Sequence, residues 1–167
     1  VGSGAGGAVA AAVLAEAGLD VLVVESGPYF NRDDYPTDTL HGLPLMYRDG
    51  GMTIAAGRPP IPVPVGRTVG GTTVINSGTC FRAPHEVLQG WRERAGIPWA
   101  LDMDADYAEA EDMLRVAPVD VETMGRNGQL CMEGAAALGA SGGPISRNAG
   151  ACVQCSSCPL GCRIDAK

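Results

Sequence analysis

The chain is short of positive charge: 12 Lys and Arg stand against 19 Asp and Glu, for a net charge of −7 at pH 7. This balance argues against nucleic acid or an anionic membrane surface as a partner, because both attract basic proteins. Long apolar runs are also missing, since none approaches the roughly 18 residues that a membrane-spanning helix needs. The sequence therefore predicts no transmembrane segment, and among locations it favours the cytoplasm.

Histidine is scarce, with two in the chain. His41 lies in a loop of variable composition, and His85 stands between Pro84 and Glu86 at a predicted helix start. Neither histidine has neighbours in the sequence that indicate a catalytic role, so both are predicted to be exposed surface residues. No internal repeat is present, and 167 residues allow one ordinary domain or parts of two.

The first 25 residues open with three glycines in the spacing G-x-G-x-x-G, namely Gly2, Gly4 and Gly7. A predicted helix, Ala8–Ala17, follows them, and then an apolar predicted strand, Leu19–Val24, closed by Glu25. This order is the fingerprint of a dinucleotide-binding unit. The glycines permit a tight turn and a close approach to a pyrophosphate, and the helix N-terminus attracts its charge. Glu25 stands where an acid accepts the ribose hydroxyls.

The fingerprint predicts an α/β fold of the Rossmann type, with a parallel sheet covered by helices. The apolar strand Leu19–Val24 suits the interior of such a sheet. A strand usually needs about 3–10 residues, but Val1 alone precedes the glycine loop. We therefore expect the sequence to be a fragment that lacks its first strand.

A second glycine-rich stretch follows a long loop. Residues 28–65 are rich in Pro, Gly and Asp without a sustained period, and loops of this length often serve as lids. The stretch 66–84, GRTVGGTTVINSGTCFRAP, combines Gly70 and Gly71 with small hydroxyl side chains. It offers backbone N–H groups with little bulk, so it suits either a flat or phosphorylated ligand or an ordinary turn before a short strand.

Together, VGSGAGGAVAAAVLAEAGLDVLVVESGPY and GRTVGGTTVINSGTCFRAP resemble the glucose–methanol–choline family of FAD-dependent oxidoreductases, in order and in spacing. The resemblance extends over nearly the whole chain but only about the N-terminal third of a family enzyme. It implies that residues 1–100 belong to the FAD-binding domain and that residues 101–167 lead into an α+β substrate domain. The implied activity is oxidation of the CH–OH group of a small-molecule alcohol or of a sugar- or sterol-like donor, with hydride transfer to flavin N5 and with oxygen or another carrier as electron acceptor.

The resemblance also assigns cofactor-binding residues. From the first motif these are Gly2, Ser3, Gly4, Ala5, Gly6, Gly7, Glu25 and Ser26. From the second they are Arg67, Val69, Gly70, Gly71, Thr72, Thr73, Asn76, Ser77, Gly78 and Thr79. Some family members carry a His that links covalently to the flavin, and Ile75 occupies that position here, which implies non-covalent FAD. The family's catalytic His has no counterpart in these residues, so no catalytic residue is assigned.

Three further helices are predicted: Glu86–Ala95, Ala105–Val116 and Gln129–Leu138. Asp104 is expected to cap the second of them. Its candidate buried positions are Tyr107, Ala108, Met113 and Leu114. The acidic residues around it are interpreted as a solvated helix face and not as a metal site.

Four cysteines are spaced C-x2-C-x2-C-x3-C, at Cys152, Cys155, Cys158 and Cys162. This spacing matches bacterial ferredoxin cluster ligands, but Pro159 follows the third cysteine, whereas ferredoxins place Pro after the fourth. The sequence allows four interpretations of this run: an iron–sulfur cluster, a zinc site, a redox disulfide or inert thiols.

Two alternative functions of the protein also remain. One is a nicotinamide-dependent dehydrogenase, and the other is an electron-transfer or metal-binding module built on the four cysteines.

Overall fold

The structure, a computed structural model, describes all 167 residues and has two compact units. The first unit comprises Val1–Ser77 and Cys155–Asp165, and the second comprises Gly78–Gln154 and Ala166–Lys167. The predicted boundary near residue 100, between the FAD-binding domain and the segment that leads into the substrate domain, does not follow from these two units and stays a prediction. No helix in the chain is long and apolar enough to cross a membrane.

The first helix, α1, runs from Ala5 to Glu16, so it begins three residues before the predicted Ala8. Ala, Leu and Glu favour the helix, and Gly18, at φ +82°, adopts the left-handed conformation that ends it. The apolar face predicted to pack on a sheet is exposed: Val9 and Val13 are more than half exposed. No residue of α1 is buried.

The predicted parallel sheet is not formed, and the sheets present are antiparallel pairs of two-residue strands. The segment 19–24 has no regular secondary structure and no strand partner, and Leu22 is 86% exposed. Its link to the glycine loop is the Gly2 N–H, which donates to the Val24 carbonyl oxygen at 2.7 Å. A ladder needs a neighbouring strand, and no strand of the structure pairs with this segment.

The long loop is more ordered than its composition suggests. It contains the helix α2, Thr39–Met46, and an antiparallel pair, β1 (Ile54–Ala55) with β2 (Ile61–Pro62). The core of the first unit lies at the end of α2, where Met46, Tyr47 and Ile75 are buried together. The stretch 66–84 is therefore anchored to α2 through an apolar contact.

The second unit contains three helices: α3 (His85–Arg94), α4 (Asp104–Met113) and α5 (Val121–Ala137). Strand β3, Ala117–Pro118, pairs antiparallel with β4, Ser146–Arg147. The prediction for α3 is confirmed to within one residue at each end. The prediction for α5 begins eight residues after Val121, where the Asp120 side chain accepts a hydrogen bond from the Glu122 N–H. The helix is kinked at Gly125, whose φ of +77° and ψ of 168° are not helical, so the predicted part lies within the segment after the kink.

Two details predicted for α4 are wrong. Asp104 is the first residue of the helix and makes no cap; its carboxylate lies 3.4 Å from the Arg82 guanidinium instead. Of the positions predicted to be buried, Met113 is 66% and Leu114 47% exposed, and Ala108 is exposed too. Tyr107 is partly buried, with Arg82 over its ring at 5.5 Å.

The remaining regular structure consists of short 3-10 segments, which are Arg32–Asp34, Gly71–Thr73, Pro98–Leu101 and Cys158–Leu160. The segment Arg48–Gly51 is a turn in which Asp49 and Gly50 have left-handed φ angles of 51° and 61°. Both histidines are exposed, as predicted. The Nδ1 of His41 lies 2.8 Å from the Asp38 carboxylate, which also caps α2 by accepting from the His41 N–H.

Candidate functional site

The N-terminus of α1 has the properties of an anion site. Its N-cap residue is Gly4, no side chain caps the helix, and no acidic residue stands in the first turn. The first intrahelical hydrogen bond runs from the Ala8 N–H to the Gly4 carbonyl at 2.9 Å. The N–H groups of the first turn therefore have no helical acceptor, and the helix dipole favours a negative charge in front of them.

Gly7 is required by the approach of the helix to the glycine loop. A Cβ at this position would overlap the carbonyl oxygen of Gly2, which is backbone and cannot move aside cheaply. Gly2 itself has a φ of +83°, a conformation that side chains disfavour. The dinucleotide fingerprint predicts that its third glycine lets the helix lie close to a sheet. Here Gly7 instead permits contact between the helix and the glycine loop.

Glu25 lies beside the loop and binds its N–H groups. Its Oε2 accepts from both the N–H and the hydroxyl of Ser3, each at 2.8 Å, and its Oε1 accepts from the Gly27 N–H at 2.8 Å. These donors, the Gly27 N–H first and then those of Ser3, lower the pKa of Glu25 to about 2. The Ser26 hydroxyl lies further away, at 3.4 Å from Oε1. The carboxylate is therefore charged throughout the physiological range.

Ser3 connects this loop to the second glycine-rich stretch. The Ser3 Oγ accepts a hydrogen bond from the Gly70 N–H at 2.9 Å, across 67 positions of sequence. Next to it, the backbones of Gly4 and Gly71 approach closely, so that a Cβ on Gly71 would lie 3.3 Å from the Gly4 Cα. The structure thus brings together the two motifs that the sequence separates.

A buried threonine that the sequence prediction omitted holds the second stretch in place. Thr68 is 1% exposed, and its hydroxyl lies 3.1 Å from the Pro28 carbonyl oxygen, which also accepts from the Val69 N–H at 3.0 Å. Gly27 permits this approach, because its Cβ would overlap the Thr68 backbone. The dense glycine around the motif indicated close backbone contacts, but nothing in the sequence singled out Thr68.

Other residues of the second stretch bind their own chain. The Asn76 side-chain amide donates to the carbonyl oxygens of Thr72 and Thr73 at 2.8 Å each. The hydroxyl of Thr72 accepts from the Gly66 N–H at 3.0 Å, and the Arg67 N–H donates to the Met46 carbonyl at 2.7 Å.

The remaining predicted positions divide between the units. Ala5 and Gly6 are exposed in the first turn of α1, and Ser77 is exposed at the end of the first unit. Gly78 and Thr79 open the second unit, where the Gly78 carbonyl accepts from the Asn148 N–H at 3.0 Å.

The cysteine run does not form a metal centre in the structure. No group of three or more His, Cys, Asp or Glu residues is placed to hold a metal ion, so the cluster and zinc hypotheses gain no support. All six cysteines are thiols. The pKa of the exposed Cys155 thiol is lowered, chiefly by the backbone N–H of Ser157 and also by the positive charge of Arg163.

Comparisons with known protein families divide the chain into two matching parts. The family description "GMC oxidoreductase" matches residues 44–167, and "NAD(P)-binding Rossmann-like domain" matches residues 1–44. The Rossmann-like part agrees with the α/β fold class predicted for the N-terminal segment. No solved structure matches the chain.

Individual relatives are similar over most or all of the chain. An uncharacterized GMC-type oxidoreductase of Mycobacterium tuberculosis is 49% identical, over 100% of this chain and 27% of its own length. A long-chain-alcohol oxidase of Arabidopsis thaliana is 35% identical, over 98% of this chain and 22% of its own. A cholesterol oxidase of Acinetobacter baumannii is 28% identical over 70% of this chain and 22% of its own. The chain thus spans about a quarter of the length of these relatives.

Proposed function

Because the chain belongs to the GMC oxidoreductase family, we propose that it forms the cofactor-binding part of an FAD-dependent enzyme that oxidises an alcohol. The observation that carries the proposal is the junction of the glycine loop with the second glycine-rich stretch, through Ser3 and Gly70. A nucleotide loop alone would suit many dinucleotides. The second stretch, packed against it, supplies the surface that a flavin needs.

The residues present fit FAD. The uncapped start of α1 suits the pyrophosphate, and no side chain would obstruct it, since a Cβ on Gly6 would meet nothing within 4 Å. The charged Glu25 suits a ribose hydroxyl, while Gly70 and Gly71 suit the flavin half. When bound, FAD would accept a hydride, and the share of the protein is binding, orientation and electrostatics.

We propose a long-chain alcohol as the substrate class, because several similar relatives are named long-chain-alcohol oxidases. We propose no base among these 167 residues, since His85 is exposed and His41, although paired with the Asp38 carboxylate, has a side chain that is 84% exposed. The exposed apolar segment 19–24 and the apolar face of α1 support a further proposal. In the presence of a partner strand, this segment would join a parallel sheet.

A nicotinamide dinucleotide is the second candidate cofactor. It is favoured by the match of residues 1–44 to an NAD(P)-binding domain. With a nicotinamide cofactor, the contact of Gly70 and Gly71 with the glycine loop would have no assigned role. We therefore rank this cofactor below FAD.

Absorption spectroscopy separates the two candidates. The protein, expressed from its complete reading frame, should show flavin absorbance near roughly 450 nm, which is general for oxidised flavin. Anaerobic addition of a long-chain alcohol such as 1-dodecanol should bleach this band. A colourless protein that oxidises the alcohol only with added NAD⁺ or NADP⁺ would support the second candidate and refute the first.

A further inference from the structure

We propose that Ser3 is a positioning residue that sets the register between the two FAD-binding segments, an inference that rests on the proposed function. Its hydroxyl donates to Glu25 Oε2 at 2.8 Å and accepts from the Gly70 N–H at 2.9 Å. One side chain therefore connects the glycine loop with Glu25, which follows segment 19–24, and with Gly70 of the second stretch.

The hydroxyl is suited to this position because it is both a donor and an acceptor. The carboxylate of Glu25 needs a donor, and the N–H of Gly70 needs an acceptor. Alanine at position 3 would supply neither, and the Gly70 N–H would lose its partner. The bond to the carboxylate is charge-assisted, which makes it stronger than a bond between neutral groups.

Gly70 is the point at which the register matters. Its φ is +87°, and Gly71 follows at +56°, so the chain turns sharply here before the 3-10 segment Gly71–Thr73. Thr68, two residues earlier, is fixed by burial and by Pro28. The segment is thus held on one side by Thr68 and on the other by Ser3, and loss of Ser3 would leave the turn that faces the flavin held from one side.

The same geometry redefines what Glu25 does. A carboxylate has about four acceptor positions. Ser3 occupies Oε2 with two donors, Gly27 occupies one position of Oε1, and the Ser26 hydroxyl makes a longer contact of 3.4 Å with the same oxygen. Most acceptor positions of the Glu25 carboxylate are therefore occupied by donors of the protein itself. We infer that it binds one ribose hydroxyl through Oε1 and does not hold the ribose diol with both oxygens.

The experiment compares Ser3→Ala with wild type after removal and re-addition of FAD, using protein from the complete reading frame. We expect the dissociation constant for FAD to rise by about tenfold, the effect of losing hydrogen bonds to a charged group. The visible circular dichroism of the bound flavin should change as well. A residue that only stabilised the fold would lower the melting temperature and leave this flavin signal unchanged.

Ser157→Ala is the matched control, because its hydroxyl also donates to a chain oxygen in the first unit, the Cys155 carbonyl at 3.2 Å. It should bind FAD as wild type does. If S3A does not fold, Ser3→Cys carries the test, since it keeps the side-chain size with a weak hydrogen-bonding group. FAD affinity and circular dichroism equal to wild type in the folded variant would overturn the inference. Wild-type protein that binds no FAD would instead refute the proposed function.

A double-mutant cycle with Glu25→Gln tests the connection directly. If Ser3 acts through Glu25, the two losses of FAD affinity should be clearly less than additive. Fully additive losses of FAD affinity would mean that the two residues act independently. That result would overturn the inference that Ser3 acts through its hydrogen bond to Glu25.

Discussion

The hydroxyl of Tyr47 donates a hydrogen bond to the Pro159 carbonyl oxygen at 2.6 Å, although 112 positions separate the two residues. Leu160, beside this carbonyl, is 7% exposed and lies against Gly42, where a Cβ would overlap its side chain. The segment Cys155–Asp165 is therefore fixed to the end of α2, whose last residues form the core of the first unit.

Replacement of Tyr47 by Phe should lower the free energy of unfolding by about 1 kcal/mol, the net value of a typical hydrogen bond. The burial of the ring is kept, so the loss should come from the hydroxyl alone. Urea unfolding measures it, with Tyr29→Phe as control because Tyr29 is 71% exposed. Equal stability of the two variants would mean that the contact with Pro159 contributes nothing.

Gly7→Ala should prevent FAD binding and destabilise the protein by about 1–3 kcal/mol, the usual cost of overpacking. The added Cβ would overlap the Gly2 carbonyl oxygen, which is part of the loop backbone. Gly134→Ala, inside α5, meets nothing within 4 Å and should instead stabilise the protein slightly. Urea unfolding and FAD titration of both variants provide the test. An alanine at position 7 that binds FAD normally would contradict the close approach.

Local signals predicted four of the five helices, all except α2, but they predicted the caps poorly. Helix α3 begins and ends within one residue of its predicted bounds, and Gly18, directly after the predicted end of α1 at Ala17, has the left-handed conformation that ends a helix. Asp104 had every local mark of an N-cap, but Arg82, 22 positions earlier, takes its carboxylate. A carboxylate that could cap a helix can instead bind another donor. A donor as distant in sequence as Arg82 cannot be identified from the local pattern.

The features that the sequence did not predict depend on contacts between residues that are distant in the sequence. The glycine spacing predicted a shared cofactor site for the two motifs, which stays a prediction, and the structure brings Gly4 and Gly71 of these motifs together. The parallel sheet needed a partner strand that these residues do not form, so segment 19–24 stays exposed. Thr68 was missed because its burial depends on Pro28, which lies 40 positions away.

The prediction of dissociable FAD can be tested by acid precipitation. Ile75 is 2% exposed and packs with Met46 and Tyr47, so the position offers an alkane carbon and no nucleophile. The flavin should remain in the supernatant after precipitation and leave a colourless pellet. Yellow colour retained by washed protein would contradict it.

Glu25 should contribute stability that is lost in acid. Its pKa is about 2 in the folded protein against an ordinary 4.5, so the unfolded chain binds the proton first. The contribution is complete above about pH 4.5 and declines as the pH falls toward 2. Glu25→Gln should therefore have a lower melting temperature at pH 7, and the gap from wild type should narrow across this window. A gap that does not change with pH would show that the charge of Glu25 is unimportant.

Cys155 should be alkylated at lower pH than an ordinary cysteine, because the thiolate is the reactive form and its pKa is lowered. The Ser157 N–H stabilises the thiolate most, and Arg163 adds positive charge. Peptide mass spectrometry after timed iodoacetamide treatment gives the rate at each pH. Arg163→Gln should move the pH profile of Cys155 upward, whereas Arg92→Gln, which does not act on this thiol, should leave it in place. Equal profiles for both variants would mean that Arg163 does not govern the thiol and that the local backbone alone lowers its pKa.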